Sequence, residues 1–470
     1  MSKCDLRIDI LGTSLTISAD EEPEYLDLLL DKYQSAVENV QRKTGLKDPL
    51  KAAILTGFLL CDELEKAGKA AVNDNDPLEA EQLTLGMISR LDEIVTPPTV
   101  VKLQNTVKNY EWGSAELLPA FTGQKNLSRV PWAEIWLELP SSNSNYEKLP
   151  FLFKMLAAEK PLSIQVHPNH EQARDGFERE NREGVPLDAP SRNYKDPSGK
   201  NEIFCALSPF IALCGFREPW EISSFMEILS ILPAQNEEAL KTNMDGLILA
   251  LKGEDPLKTF LGGLYCLDNE VIKALALSIK SQISILKNDF PEYKNTWELC
   301  VYLSSLYPED PGILAPFFLN IIELNPGELM YIPAGVLHSY IKGMGIELMN
   351  VSDNVVRGGL TAKYVDKEEK LKLINFSEYK PDIMPAPAPE TMRHHYFAPI
   401  GDFSLSVIQC RENSISCPQT GPSIILITEG AAAMAESGMV LKKGESAFIP
   451  PGQNPVFSGT FTAFVAAAPN

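Results

Sequence analysis

His167, His170, His338, His394 and His395 are the whole imidazole inventory of this 470-residue chain. Any histidine-dependent metal site or base draws on these five. Gln165 and His167 stand two apart in an alternating run, 162–166, that ends at Pro168. The strand period of two puts both side chains on one face. If that face lines a barrel, one strand supplies two convergent donors. His338 follows the corner Pro333-Ala334-Gly335 and offers a third. A carboxylate would finish an N/O donor set suited to Zn²⁺. Glu202 lies where a polar loop meets the apolar run 203–213, at a strand start, and is the candidate. His170, His394 and His395 read as surface or loop residues.

The elements that must position these groups follow from periodicity. Residues 5–18 alternate around Gly12 and predict a two-stranded hairpin. Residues 22–43 turn helical through Tyr25, Leu29, Ala36, Val37 and Val40, and Gly45 ends the pattern. Asp48 and Pro49 supply an N-cap and a first helical residue for a helix over 50–64. A third helix over 78–95 carries Leu83, Met87 and Leu91. Thr96-Pro97-Pro98 stops it and marks a domain boundary. This unit, 1–96, has no histidine and an apolar helix face, which reads as an oligomerisation or docking module.

Beyond Pro98 the texture becomes β over 100–112, 133–139 and 149–166. Residues 171–200 are charged and read as a loop with one short helix, 171–182. Residues 203–216 are apolar again, 218–307 are helical, and β-character returns from Phe317. The expected organisation is a module at 1–96, a catalytic barrel from 99–217 and 311–385, a helical insertion at 218–310, and a C-terminal barrel at 386–470.

An internal repeat supports two barrels. Gly327-Glu328-Leu-Met-Tyr-Ile-Pro333-Ala-Gly335 returns as Gly444-Glu445-Ser-Ala-Phe-Ile-Pro450-Pro-Gly452. The shared form G-E-x-x-aromatic-I-P-x-G resembles half of the second signature motif of cupins, jelly-roll β-barrels that present a ligand at the Pro-x-Gly corner. The fold class expected is therefore a mainly β double cupin with a helical insertion and a small N-terminal α/β module. Pro455 stands where the first copy has His338, so the C-terminal barrel is expected to lack a metal site.

Composition excludes several classes. The chain is 44% apolar and 22% charged, as soluble globular proteins are, with no apolar run of membrane-spanning length and no signal-peptide pattern. A net charge of −21 disfavours nucleic acid as partner, and membrane partners are not expected. Eight cysteines without a CxxC pair read as reduced thiols of a cytoplasmic protein.

Two resemblances extend these readings. Residues 3–95, above all the stretch D-P-x-x-x-A-x-L-x-x-x-x-x-x-D-E-L from Asp48, resemble the ZapA family of bacterial Z-ring-associated division proteins. That implies a homo-oligomer through the N-terminal helices, with a division-ring protein as partner. Residues 99–470 resemble the type I phosphomannose isomerases. The matching segments include Asn109-Tyr110-Glu111-Trp112-Gly113, Ala133-Glu134-Ile135-Trp136, Pro161-Leu-Ser163-Ile-Gln165-Val-His167-Pro168, and Ser352-Asp353-Asn354-Val-Val-Arg357-Gly-Gly-Leu-Thr361.

This second resemblance implies a zinc-dependent aldose–ketose isomerase of carbohydrate metabolism. It would interconvert mannose 6-phosphate and fructose 6-phosphate through a cis-enediol, with one Zn²⁺ per chain. The family's ligands fall on Gln165, His167, Glu202 and His338. Its catalytic arginine falls on Arg357, its site lysines on Lys154 and Lys200, and its phosphate-side serine on Ser163. Its acidic site residues fall on Glu347 and Asp353, in that order of preference for the base. Trp112 and Tyr340 read as walls of the substrate site. One motif departs: the family's Asn-His-Lys-Pro-Glu reads Ser198-Gly199-Lys200-Asn201-Glu202, so Gly199 replaces a histidine able to relay protons. Competing readings are a non-catalytic double cupin that binds a sugar phosphate, a division-associated scaffold, and another cupin isomerase or epimerase.

Overall fold

The computed structural model describes residues 4–10, 13–19, 23–44, 52, 55–57, 59–60, 99–139, 149–233, 237–411 and 413–469. The chain divides into two units, Met1–Thr99 and Val100–Asn470. In the first, strands Cys4–Ile10 and Thr13–Ala19 pair antiparallel with Ile10 opposite Thr13, the hairpin that the alternation predicts. Helix Pro23–Thr44 follows, with Arg42 and Lys43 in its last turn, where cations suit the negative end of the helix dipole. Tyr25, Leu28 and Leu29 on this helix are exposed, whereas Val37 and Val40 are buried. Of the second expected helix, residues 52, 55–57 and 59–60 are described and helical. The third, 78–95, lies outside the described residues.

The second unit is built on two antiparallel sheets, a double cupin. In the first sheet the strands run in the order Leu319–Leu324, Phe210–Phe216, His338–Asn350, Phe151–Ala158, Glu134–Leu137 and Thr106–Lys108. The long strand His338–Asn350 joins the two halves of the barrel. Its first residues pair with Phe210–Phe216 and Ile164–Val166, and its last with Phe151–Ala158 and Glu202–Ala206. It changes partners near Gly343, at φ +118°, where a Cβ would stand 2.5 Å from the Pro209 carbonyl oxygen. Only glycine tolerates that conformation and that approach.

The alternation along these strands sorts side chains into three environments. Ile164, Val166, Leu337 and Val356 point outward into a large apolar cluster with the helical insertion, around Phe225, Trp297 and Phe317. Phe153, Met155, Ile203 and Ile346 pack between the two barrels against Leu405, Ile424 and Phe448. Leu156, Phe204, Phe210 and Tyr340 fill the interior of the first barrel. Burying each such large apolar side chain contributes about 1.5–3 kcal/mol, so the two outer layers fix which face of each strand looks inward.

The repeat has the same geometry twice. Gly327 and Gly444 take φ of +86° and +82°, and Gly335 and Gly452 take +84° and +72°. Glu328 accepts from the backbone N–H of Asn325 at 2.7 Å, and Glu445 from that of Lys442 at 2.8 Å. The motif is thus a turn closed by its own glutamate, leading into strands Leu329–Ile332 and Ser446–Ile449. The interior of the C-terminal barrel is apolar, with Ile425, Ile427, Phe457 and Phe461.

Two features depart from the sequence expectation. Strand Val101–Lys102 pairs with Ser446–Ile449 and so joins the C-terminal sheet, although 99–217 reads as part of the catalytic barrel. Periodicity reports that a segment is extended but not which edge, more than three hundred residues away, accepts it. His394 and His395, read as surface or loop residues, both lie in strand Arg393–Tyr396, His394 half-buried and His395 exposed. The helix expected at 171–182 spans His170–Arg182, with a capping box between Asn169 and Gln172.

Candidate active site

Outward anchoring of Ile164 and Val166 turns Gln165 and His167 inward. Glu202 shares its strand face with the interior residues Phe204 and Ala206, and His338 shares its face with Tyr340. His167, Glu202 and His338 are each 2% exposed, and a ligand atom from each lies within 4.8 Å of the others. Among the described residues this is the only such group of histidine, cysteine and acidic side chains. His167 Nε2 is 3.4 Å from Glu202 Oε1, and His338 Nε2 is 3.3 Å from Oε2.

Both imidazoles are oriented from behind. His167 Nδ1 is 2.8 Å from the carbonyl oxygen of Asn354, and His338 Nδ1 is 3.0 Å from that of Val336. A carbonyl only accepts, so each Nδ1 carries the proton and each Nε2 presents a lone pair. His167 Nε2 and Glu202 Oε2 are buried and have no hydrogen-bond partner. Lone pairs converging without a donor among them fit a cation, and two imidazoles with a carboxylate are a Zn²⁺ donor set. Gln165 is the register partner of His338 on one side and of Arg357 on the other, so it shares their face.

Charge around the cluster is arranged for that state. Burial lowers the His167 pKa to about 4, helped by the Lys200 ammonium, so the imidazole is neutral at pH 7. Burial pulls the Glu202 carboxyl up, but the Lys200 ammonium beside it outweighs that and holds it well below its ordinary value. Lys200 Nζ lies 2.9 Å from Glu202 Oε1.

A second polar group continues along the interior. Lys154 Nζ sits 2.6 Å from Glu347 Oε2 and 2.9 Å from Glu134 Oε1. Tyr340 donates to Glu347 Oε1 at 2.6 Å, and Trp136 Nε1 donates to Glu134 Oε2 at 2.8 Å. Burial alone would lower the Lys154 pKa, but Glu347 and Glu134 outweigh it and hold it above its ordinary value. Burial and the Glu347 carboxylate push the Tyr340 phenol well up, so it stays a donor. The Tyr340 ring centroid is 6.1 Å from that of His338, which links the two groups.

Arg357 is half-buried on strand Val356–Gly359, and desolvation lowers its pKa. No hydrogen bond or ion pair among the described residues engages its guanidinium. Asp353, the other expected acid, is exposed, with its backbone N–H donating to Asp196 Oδ2. Ser163 is half-buried just before strand Ile164–Val166, and Trp112 is half-buried against the interior cluster, stacked on Tyr110.

Sequence reasoning missed three participants. Glu134 shares Lys154 with Glu347, and its signal was an acid on an apolar strand. Asn354, fully buried, offers its carbonyl to His167. Its side chain also accepts from Lys195 N–H and donates to the carbonyls of Asp196 and Ser198, tying down the loop that leads to Lys200. The third is His170. A Cβ on Gly199 would lie 2.5 Å from the His170 backbone nitrogen, and Gly199 N–H donates to His170 Nδ1 at 3.2 Å. The glycine is a close-approach residue, and an imidazole stands beside it after all.

The fold and site together define a double cupin with a buried His–Glu–His cation site. Residues 138–219 match the family model for the phosphomannose isomerase type I catalytic domain, and residues 6–96 that for cell division protein ZapA. The chain is 34% identical over 398 residues to the mannose-6-phosphate isomerase of Escherichia coli K12, covering 76% of this chain and 96% of that one. A zinc-bound mannose 6-phosphate isomerase structure superposes with a TM-score of 0.69 at 31% identity, over 79% of this chain and all of that one. The apo form from Salmonella typhimurium gives 0.69 at 31% identity, over 80% and all of that chain. The chain belongs to the mannose-6-phosphate isomerase family, with a ZapA-like segment ahead of the isomerase part.

Proposed function

We propose that this chain interconverts mannose 6-phosphate and fructose 6-phosphate with one Zn²⁺ held by His167, Glu202, His338 and Gln165. The observation that carries this is the convergence of His167 Nε2, His338 Nε2 and Glu202 Oε2 with no donor among them. Bound there, zinc would supply Lewis-acid polarisation of the substrate's oxygens.

The chain's own residues do the rest. A base removes the C2 proton of the open-chain aldose, and a proton returns to C1 of the resulting cis-enediol. Glu347 is the first candidate for that base, because it is buried and its carboxylate is aimed by Lys154 and Tyr340. Asp353, exposed, is the second. Arg357, a permanent cation with an uncommitted guanidinium, stabilises the developing oxyanion. Ser163 and Lys200 stand at the site for phosphate or sugar hydroxyls, and Trp112 and Tyr340 wall it. Lys154 is committed to two carboxylates, so its part is to orient Glu347.

The test is a coupled assay of mannose 6-phosphate conversion on the full-length protein before and after chelation. Activity should vanish with the metal and return with Zn²⁺. A zinc-loaded protein without turnover would move the weight to a sugar-phosphate-binding double cupin.

For the first unit we propose self-association through helix Pro23–Thr44, whose residues Tyr25, Leu28 and Leu29 form an exposed apolar stripe at i, i+3, i+4 spacing. Light scattering should give a multiple of the 52.0 kDa chain. A monomer at micromolar concentration would reject this.

A further inference from the structure

The Arg357 guanidinium has no side-chain partner among the described residues, so its backbone must hold it in place. That backbone is unusual. The pairing of Val356–Gly359 with Ile164–Val166 is irregular between Arg357 and Gly359, Gly359 has φ +144°, and Leu360, a non-glycine residue, has φ +54°. Such a segment persists only where its surroundings over-determine it.

Those surroundings come from the helical insertion. The Tyr265 hydroxyl, at the end of helix Pro256–Leu264, donates to the Gly358 carbonyl in a short hydrogen bond. Asp310 Oδ2 accepts from Thr361 N–H at 3.2 Å, while Oδ1 accepts from Gly312 N–H at 2.7 Å. Tyr265 is itself seated from two sides. Lys367 Nζ donates to its carbonyl at 3.0 Å, and Lys370 Nζ lies 3.2 Å from its ring centroid. Lys370 is fully buried, and its Nζ has no hydrogen-bond partner, so its N–H groups have the π face of Tyr265 to point at. Burial raises the Tyr265 pKa, which keeps the phenol a donor. A lysine in a place that an apolar side chain would fill at lower cost calls for a reason, and the ring it covers is the one that grips the Arg357 segment.

We infer that Tyr265, seated by Lys370, is a positioning residue that sets the Arg357 guanidinium in the site through the Gly358 carbonyl, which makes the helical insertion part of the catalytic machinery. The inference rests on the catalytic reading of Arg357. Tyr265→Phe removes one hydroxyl and keeps the ring.

In zinc-loaded full-length protein this variant should lower kcat roughly ten- to hundredfold, the scale of a misplaced catalytic group, with KM within about twofold. Zinc content and melting temperature should stay close to wild type. The loss should shrink to less than about twofold when Tyr265→Phe is added to Arg357→Lys, because the fork it positions is already gone. An unchanged kcat in Tyr265→Phe, or a loss of equal size in both backgrounds, overturns the inference and leaves the Arg357 reading standing. A wild-type rate in Arg357→Lys overturns the reading of Arg357 itself, and the inference with it.

Discussion

Lys154 and Glu347 are direct register partners on adjacent antiparallel strands, and the ammonium lies 2.6 Å from Glu347 Oε2 inside the barrel. Because Lys154 also holds Glu134, one cation compensates two buried carboxylates. Removing it strands both. Lys154→Met should destabilise the protein by about 3–5 kcal/mol, the range for breaking a buried ion pair from one side. Adding Glu134→Gln should recover part of that loss. Chemical denaturation of the three proteins checks this, and a single variant that unfolds like wild type would sink the orienting role given to Lys154.

His338→Ala removes one of the three convergent donors while the apolar layers on either side stay in place. Bound zinc after dialysis and turnover should fall together, with circular dichroism unchanged. A folded variant that keeps full activity would reject His338 as a ligand.

Restoring the family's histidine at position 199 should harm the protein. A Cβ there would stand 2.5 Å from the His170 nitrogen and 2.7 Å from the Asn169 carbonyl carbon, both backbone atoms at the start of helix His170–Arg182. Gly199→Ala alone should cost about 1–3 kcal/mol, as overpacking does, and Gly199→His should not exceed the wild-type kcat. A thermal melt of Gly199→Ala that coincides with wild type would show that the two segments part easily.

Burial, reinforced by Lys367, lowers the Lys370 pKa from 10.5 to about 7. Between those values the unfolded chain holds a proton that the folded chain lacks, so this group makes stability rise with pH from about 7 to 10.5. Below pH 7 the full cost of charging the buried amine is felt. Lys370→Met should therefore raise stability at pH 6 by on the order of 2 kcal/mol and flatten the rise toward pH 10. Melting curves of both proteins across that range give the difference. A gap between them that does not change with pH would mean that Lys370 does not titrate there.

Much of the site was legible because its parts are local. The spacing of Gln165 and His167, the corner before His338 and the strand start at Glu202 are short patterns, and a period of two carries each into an inward-facing side chain once the outer faces are buried. Lys154 shows the limit. Its presence in a matching segment marked it as a site residue, but the two carboxylates that hold it come from strands Glu134–Leu137 and His338–Asn350, whose register no local pattern states.

The sequence by itself determined the number of barrels, through the repeated turn closed by Glu328 and Glu445, and pointed to the candidate donors, through five histidines of which two occupy strand and corner positions. It also determined that the C-terminal barrel lacks a histidine where the first has His338, since Pro455 is read directly. The tertiary structure decided what depends on approach between distant segments. It placed strand Val101–Lys102 on the C-terminal sheet, the Asn354 carbonyl behind His167, His170 against Gly199, and Tyr265 on the carbonyl beside Arg357. Each of these is a hydrogen bond or contact between segments that share no periodicity, so only the packing of the whole unit brings them within reach.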